Sequence, residues 1–233
     1  MRFVAILAFI AALLAVDTGV DARAQLLLGL GAWVAFAIAL RGAPRVLRAQ
    51  ALVVVVVATG AEITGSIVWG VYTYRLENLP SFIPPCHGLV YLAGVALAGA
   101  ARGRVSQAVL VRGALALVLL WGVAGVTVLP RLDVGGALGA ALLSIYLVRG
   151  RAPTVYAGVF LVVAGLELYG TALGTWNWAE VIPGTGVPQG NPPSGVASGY
   201  VWFDIVALAL APRLLAVWER LTARPLEPLP QAK

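Results

Sequence analysis

Charged residues, cysteine and histidine are all scarce in this chain of 233 residues. Charged side chains make up 11% of the sequence, whereas they make up about a quarter of a typical soluble domain. The single cysteine, Cys86, excludes a disulfide framework and a metal site built from several cysteines. The single histidine, His87, excludes a metal site built from several histidines. This composition excludes an ordinary soluble domain.

Apolar residues take the place of the missing charges. They form 61% of the chain, and the mean hydropathy is +0.92, which predicts an integral membrane protein. The net charge of +6 comes from arginines that lie between apolar runs. Because dispersed loop charges do not form the basic face that nucleic acid requires, we expect a membrane environment and no nucleic-acid partner.

Eight apolar runs predict an all-α fold, a polytopic membrane helix bundle with about eight transmembrane helices. Runs of about 17 to 25 residues are long enough to span a bilayer. The first run is short and follows Met1 and Arg2, so a cleaved signal peptide is the alternative. No clear cleavage site follows it, and we interpret it as a helix. The predicted helices cover residues 2–17, 24–41, 49–73, 86–101, 105–129, 133–148, 153–175 and 196–218.

The arginines predict how the bundle lies in the cell membrane. Cytoplasmic loops are rich in Lys and Arg, and a cytoplasmic N-terminus gives the inner side the larger share. Both termini are then cytoplasmic, and the cavity described below opens to the outer face. The inner set is Arg2, Arg41, Arg45, Arg48, Arg102, Arg104, Arg149, Arg151, Arg213, Arg220, Arg224 and Lys233, and the outer set is Arg23, Arg75 and Arg131.

One sequence pattern occurs twice, as TGAEITGSIVWGVYTY and, about 105 residues later, as AGLELYGTALGTWNW. Each copy has a glutamate in an apolar run, a glycine at i+3, a hydroxyl at i+4, a second glycine and an aromatic-x-aromatic pair. The second copy is one residue shorter before that pair, and a proline-rich loop follows in both. The glutamates are Glu62 and Glu167.

The duplication predicts two parallel four-helix repeats, residues 1–102 and 103–233, within one membrane domain. Four helices return the chain to the side where it began, so the repeats are related by an axis along the membrane normal. That relation brings Glu62 and Glu167 to equal depth around one central cavity, which we expect the two proline-rich loops to roof. Convergence between two apolar sequences is the alternative explanation.

A matched pair of acids inside membrane helices indicates a functional site, because acids are costly there. On insertion scales, the free-energy cost of an Asp at the centre of a membrane helix is roughly 2.5 to 3.5 kcal/mol. On a helix, Glu62, Gly65, Ser66 and Trp69 share one face. In one interpretation, the small residues allow tight helix packing and the hydroxyls hydrogen-bond the acids. In the other, they leave a groove for a ligand beside a carboxyl that burial keeps protonated and that donates its proton.

The two halves differ at two further positions that bear chemistry. Aligning HGLVYLAGVALA with SGYVWFDIVALA sets His87 opposite Ser198 and Ala93 opposite Asp204. For His87 the alternative is a structural cap or interfacial hydrogen bond, and for Asp204 a hydrogen bond to a neighbouring helix. A site of one histidine and three carboxylates for a metal is a further alternative, but the ligand spacing is missing, so we expect no metal and no cofactor. The predicted catalytic residues are Glu62, Glu167, His87 and Asp204.

Aromatic residues gather at the predicted outer boundary of the helices. An interfacial aromatic belt is one explanation. The other is the mouth of a binding site for a flat or polyunsaturated ligand, in which ring faces stabilise a carbocation formed when a carboxylic acid protonates an alkene. The predicted substrate-binding residues are Trp69, Tyr72, Tyr74, Trp176, Trp178, Asn191, Tyr200 and Trp202.

The first copy of the pattern resembles the carotenoid-biosynthesis membrane protein family that includes the carotenoid 1,2-hydratases. A similar Glu-x-x-Gly, Gly-x-Tyr-x-Tyr pattern occurs in that family, and the resemblance covers about thirty residues. It implies addition of water to an isoprenoid double bond without an organic cofactor. The matching positions are Glu62, Gly65, Gly70, Tyr72 and Tyr74.

Two functions fit the sequence. The first is a membrane enzyme, a hydratase, lyase or isomerase that acts on an isoprenoid or other lipid by carboxyl acid/base chemistry. The second is a proton-coupled transporter or lipid-binding membrane protein, in which the same acids carry protons or hold a polar headgroup. Unequal partners such as His87 and Asp204 favour the enzyme, whereas the tandem repeat favours the transporter.

Overall fold

The computed structural model describes residues 2–222, which form eight α-helices and two short strands. A π-helical segment (Ile63–Trp69) continues α3, and the strands β1 (Tyr72–Tyr74) and β2 (Trp176–Trp178) follow α3 and α7. The fold is therefore helical, as predicted, and each predicted run coincides with a helix. The helices are α1 (Arg2–Asp17), α2 (Ala22–Leu40), α3 (Arg45–Glu62), α4 (Ile83–Ala100), α5 (Arg104–Thr127), α6 (Val134–Arg149), α7 (Pro153–Ala172) and α8 (Ala197–Thr222).

Six helices of the described chain are long and apolar enough to cross a membrane, namely α2, α3 with its π-helical segment, α4, α5, α7 and α8. The other two, α1 and α6, have 16 residues each. At about 1.5 Å per residue they measure about 24 Å, less than a hydrocarbon core of about 30 Å. The six long helices indicate an integral, multi-pass membrane protein, and a total of eight spans stays a prediction.

The outer surface of the bundle supports this placement. Large aliphatic side chains are exposed on almost every helix, which in water would form an apolar patch far larger than monomeric proteins show. A lipid environment removes that penalty. Examples from α2, α3, α5 and α6 are Leu27, Val56, Leu120 and Leu138.

Four helices form the core of the bundle. Each of α3, α4, α7 and α8 packs on two of the others, along α3/α8, α3/α4, α4/α7 and α7/α8. Consequently α3 lies across the centre from α7, and α4 lies across from α8. The helices α1 and α2 pack on α4, while α5 packs on α6 and α7, and α6 also packs on α8.

The ends of α3 and α7 correct the sequence prediction. Helices were expected over 49–73 and 153–175, but the helical backbone stops at Trp69 and Ala172, and the aromatic pairs are strands. A glycine in the left-handed conformation follows each helix, Gly70 with φ +75° and Gly174 with φ +70°, and turns the chain out of the helix. The sequence missed this because a glycine inside an apolar run does not by itself show its backbone angle.

The additional residue in the first copy is accommodated by the π-helical segment Ile63–Trp69. A π-helix closes its hydrogen bonds over one more residue than an α-helix, so it absorbs an insertion without rotating the chain that follows. The second copy has no insertion, and α7 stays α-helical to Ala172. Both copies therefore deliver their aromatic pairs to the same place, where β1 and β2 pair antiparallel.

We call the end of the bundle that carries β1 and β2 the strand end. The predicted cytoplasmic charges Arg224 and Lys233, and both chain termini, lie outside the described residues. The orientation in the membrane therefore stays a prediction.

Candidate functional site

Each glutamate is held by the aromatic pair of its own copy. The hydroxyls of Tyr72 and Tyr74 donate hydrogen bonds of 2.7 and 2.6 Å to Oε2 of Glu62. In the second copy, the indole Nε1 atoms of Trp176 and Trp178 donate to Oε2 of Glu167 over 2.9 and 3.2 Å. Residues two apart on a strand point to the same side, which is why an aromatic-x-aromatic spacing brings both rings to one carboxyl.

The first glycine of each copy makes room for a ring. A Cβ atom at Gly65 would lie 3.0 Å from the ring of Tyr72, and one at Gly170 would lie 2.0 Å from the ring of Trp176. The predicted groove beside each glutamate therefore exists, but the protein's own aromatic side chain fills it. A ligand has to approach the carboxyl from another side.

The hydroxyls at i+4 do not bond the carboxyl groups of the glutamates. Ser66 donates to the main-chain oxygen of Glu62, and Thr171 donates to that of Glu167, each over 2.7 Å. This is the usual bond of Ser and Thr inside a helix, to the carbonyl one turn back. The expectation that these hydroxyls bond the carboxyls was wrong, and the carboxyls depend on the aromatic pairs instead.

The register of the two strands is unchanged when the copies are exchanged. Tyr72 pairs with Trp178, Tyr74 pairs with Trp176, and Thr73 pairs with Asn177 at the centre. A two-fold axis between the central pair would produce this register. The rings of Tyr72 and Trp178 also meet, with centroids 4.6 Å apart.

Glu62 has a third partner that Glu167 lacks among the described residues. Nε2 of His87 lies 2.9 Å from Oε1 of Glu62. The imidazole is buried against the rings of Tyr200 and Phe203, at centroid distances of 5.2 and 6.0 Å. The imidazole therefore faces the interior of the bundle. Among the described residues, one glutamate is therefore bonded to an imidazole, whereas the other is bonded only to indole donors.

Both glutamates line a single cavity of about 210 Å³ at the strand end of the core. Its polar lining consists of Glu62, Glu167, His87, Tyr200 and the two aromatic pairs. The rest is apolar and comes from α1, α3, α4, α7, α8 and the residues just before α4 and α8, for example Ile10, Val90, Val163 and Phe203. Because a water molecule needs only about 10 to 15 Å³ measured in this way, the cavity has room for a larger ligand.

The strands close the cavity where we expected the proline-rich loops. Tyr72, Tyr74, Trp176 and Trp178 all line it. From the proline-rich segments only flanking residues reach it, Phe82 and Ile83 on one side and Val196 on the other. The predicted roof is corrected accordingly to the two-stranded sheet.

Four predicted site residues do not line the cavity. Trp69 is half exposed and donates to the carbonyl of Pro183, and Trp202 is 52% exposed on the outside of α8. Asn191 accepts a hydrogen bond of 3.0 Å from the main-chain N–H of Trp178, so it holds β2 and does not face a ligand. Asp204 is fully buried, but it lies one helical turn deeper than Tyr200.

The two tyrosines of β1 remain neutral donors. Burial raises the pKa of Tyr74 well above its ordinary value, and the nearby carboxyl of Glu62 raises it further. The pKa of Tyr72 is raised by the same two causes. Both phenols therefore keep their protons and their hydrogen bonds to Glu62 throughout the physiological pH range.

No protein-family model, no curated protein and no solved structure matches this chain. The resemblance to the carotenoid-biosynthesis family stays a prediction, and the function has to be argued from the site. Within residues 2–222, no three His, Cys, Asp or Glu side chains are grouped so that they could hold a metal ion.

Two buried aspartates that the sequence analysis did not single out support the site. Asp133 caps α6 and accepts hydrogen bonds from the N–H groups of Gly136, Gly190 and Ser194, which fixes the long loop before α8. Asp17 lies 3.7 Å from the guanidinium of Arg75, the residue that follows β1. Their only signal in the sequence is an acid at the edge of an apolar run.

Proposed function

We propose that the protein is a membrane enzyme that transfers protons to and from an unsaturated isoprenoid or similar lipid. The observation that carries the proposal is that two buried glutamates share one largely apolar cavity but have unlike partners. Environments that differ in this way separate the acid and base roles of two carboxyls.

Glu167 is the proposed proton donor. Its hydrogen-bond partners in the described chain are the indoles of Trp176 and Trp178, which donate and cannot accept a proton. Both indoles bond Oε2, so Oε1 is left for the substrate. Because no hydrogen-bonded base lies beside this carboxyl within residues 2–222, the acceptor of its proton is a molecule in the cavity.

Glu62 and His87 form the proposed proton acceptor. The imidazole and the carboxyl are in hydrogen-bond contact, and together they can hold a proton that leaves the substrate or an attacking water. The phenols of Tyr72 and Tyr74 fix the orientation of the carboxyl. The ring of Tyr200 packs against the imidazole ring.

The proposed reaction begins when Glu167 protonates one carbon of a double bond, which leaves a carbocation on the other. The faces of the surrounding rings stabilise that cation. Either water then forms a C–O bond and gives one proton to the Glu62–His87 pair, or the cation loses a proton to that pair and the double bond moves. The first outcome is hydration and the second is isomerisation, and neither needs an organic cofactor. The cycle is complete when the Glu62–His87 pair has released its proton and Glu167 has taken one up.

The apolar walls and the membrane location support a lipid as the substrate. An isoprenoid dissolves in the bilayer and presents little that is polar to a site. The resemblance to the carotenoid-biosynthesis family points to the same class of substrate, and we propose the cell membrane, with both termini cytoplasmic, as its location.

The exchange symmetry of the strands and of the contacts among the four core helices supports an internal duplication. The contact α3/α8 has its counterpart in α7/α4, and each glutamate is bonded by the strand of its own half. We propose that the halves are parallel four-helix repeats, as the sequence pattern predicts, with the axis through Thr73 and Asn177.

Proton-coupled transport is the second candidate, because facing glutamates on a symmetric four-helix core also suit alternating access. Substitution of each glutamate by glutamine distinguishes the two. For an enzyme, product formation from an acyclic isoprenoid polyene falls roughly a hundredfold or more in Glu167→Gln while polyene binding persists. For a transporter, no altered product forms, and proton-coupled uptake is lost. Retained activity in both variants overturns both candidates.

A further inference from the structure

Asp204 occupies a place that the proposed reaction leaves unexplained. It follows Tyr200 by four residues on α8, as Tyr91 follows His87 by four residues on α4. Both helices run away from the strand end, so each step of four residues leads about 6 Å deeper on the same helix face. Because the rings of His87 and Tyr200 are 5.2 Å apart across the core, Tyr91 and Asp204 lie at about the same depth, one turn below them.

The carboxyl of Asp204 is buried without a counterpart. Asp204 is 1% exposed, and its Oδ2 atom has no hydrogen-bond partner within the described part of the chain. Among residues 2–222, no salt bridge involves Asp204. An unpaired carboxylate in an apolar interior is far too costly, so the carboxyl carries a proton.

Polar side chains continue from Asp204 in both directions along the core. Towards the strand end lie Tyr200 and His87, which line the cavity. Towards the opposite end, Tyr91 donates a hydrogen bond of 3.1 Å to Oε1 of Gln50, in the second turn of α3. Tyr156, in the first turn of α7, lies at that end too.

We propose that Asp204 is a proton-carrying site in a polar column that joins the glutamate cavity to the end of the bundle opposite the strands. The ligand is a proton, because a single carboxyl suffices to bind it and no metal-binding group of acids exists in the described chain. Tyr91 is the hydroxyl of this column that bonds Gln50. The proposal rests on this packing alone and holds whether or not the cavity catalyses the proposed reaction.

Infrared spectroscopy of the whole chain in lipid nanodiscs tests it at neutral pH. A protonated carboxyl has its own C=O stretching band, and aspartate labelled with ¹³C at the side-chain carboxyl shifts that band only where an aspartate is protonated. The three other aspartates, Asp17, Asp21 and Asp133, all accept hydrogen bonds from N–H donors. We expect a label-sensitive band in the wild type and its loss in Asp204→Asn.

Transfer to D₂O tests the connection through the column. We expect the Asp204 band to exchange, and to do so roughly tenfold more slowly in Tyr91→Phe, which loses one hydroxyl of the column. Tyr169→Phe is the control, because Tyr169 lies at the surface of α7. Absence of a label-sensitive band in the wild type overturns the proton site without recourse to any variant. Equal exchange in Tyr91→Phe and the control overturns the column.

Discussion

At the scale of single residues, the pattern that occurs twice supplies hydrogen-bond donors to a buried glutamate carboxyl. Hydrogen-bond donors lower the free-energy cost of burying a glutamate in an apolar interior. In each copy, two ring donors do so from one strand, and the glycine at i+3 leaves space for the first ring. The choice of tyrosine in one copy and tryptophan in the other gives the two carboxyls different partners with the same geometry.

The first prediction concerns those glycines. Gly170→Ala should destabilise the protein by about 1 to 3 kcal/mol, because the new methyl group overlaps the ring of Trp176. Gly65→Ala should cost less, because its Cβ meets Tyr72 at a longer distance. The midpoint of thermal unfolding in detergent measures both. The matched control is Gly165→Ala on the same helix, where a Cβ meets nothing within 4 Å. Equal midpoints for all three variants would contradict the assigned role.

The second prediction concerns pH and follows from the raised pKa of Tyr74. The unfolded chain ionises this phenol near pH 10, whereas the folded chain keeps its proton to higher pH. The stabilising contribution is therefore complete below about pH 10 and declines as the pH rises above it. The unfolding midpoint should fall less steeply between about pH 9 and about pH 11 in Tyr74→Phe than in the wild type. A slope in Tyr74→Phe equal to that of the wild type would count against a buried phenol at position 74.

At the scale of elements, the sequence predicted all the helices and neither of the strands. Apolar runs separated by arginines define helices well, because the bilayer demands both length and apolarity. Three-residue strands give no periodic signal, and the left-handed angles of Gly70 and Gly174 decide where the helices stop. The glutamates were found because an acid in an apolar run is conspicuous.

The limits of the site prediction lie in helix rotation and depth. Tyr200 and Trp202 are two residues apart on α8, about 200° around the helix, so only one of them can face the cavity. The helical period of 3.6 residues already showed that Tyr200 and Trp202 cannot both face the cavity. The position of Asp204 relative to the cavity depends instead on how four helices pack together, which one sequence does not reveal.

The third prediction concerns the π-helical segment. Val68 lies in this segment and its side chain is exposed on the outside of the bundle. Its deletion should convert the segment to α-helix and leave β1 paired with β2, because the second copy folds with one residue fewer. Hydrogen exchange of the β1 amides, read by mass spectrometry, measures the pairing. Deletion of Val56, equally exposed but in the middle of α3, is the control. It rotates Glu62 by about 100° away from the cavity and should remove the protection of β1. Loss of protection in both deletions would refute the account of the insertion.

At the scale of the whole molecule, the bundle combines a lipid-compatible exterior with a polar centre. Apolar side chains cover the outside, while the four-helix core holds both glutamates, His87 and Asp204. Acids inside a membrane protein face the bundle interior and mark the path of a proton, an ion or a substrate. The architecture thus concentrates nearly all of the buried chemistry along one axis.

The fourth prediction concerns orientation. With cytoplasmic termini, the strand end faces the outside, so a membrane-impermeant thiol reagent should label Glu180→Cys and miss Arg104→Cys in intact cells. Both positions are exposed, and Cys86 is replaced by alanine to remove the native thiol. Permeabilised cells, in which both probes should react, provide the control. The reverse pattern in intact cells would place the cavity on the cytoplasmic side.

The central claim is that Glu167 gives a proton to a carbon atom of a lipid and that the Glu62–His87 pair takes one away. Solvent deuterium records that step directly, since a protonated alkene acquires a C–D bond in D₂O. Mass spectrometry of an acyclic isoprenoid polyene incubated with the protein in nanodiscs should show deuterium with the wild type and with Glu180→Gln, an exposed acid in the loop after β2. It should show roughly a hundredfold less with Glu167→Gln and with Glu62→Gln. Equal deuterium incorporation in the wild type and in both glutamate variants would contradict the account, as would its complete absence in the wild type.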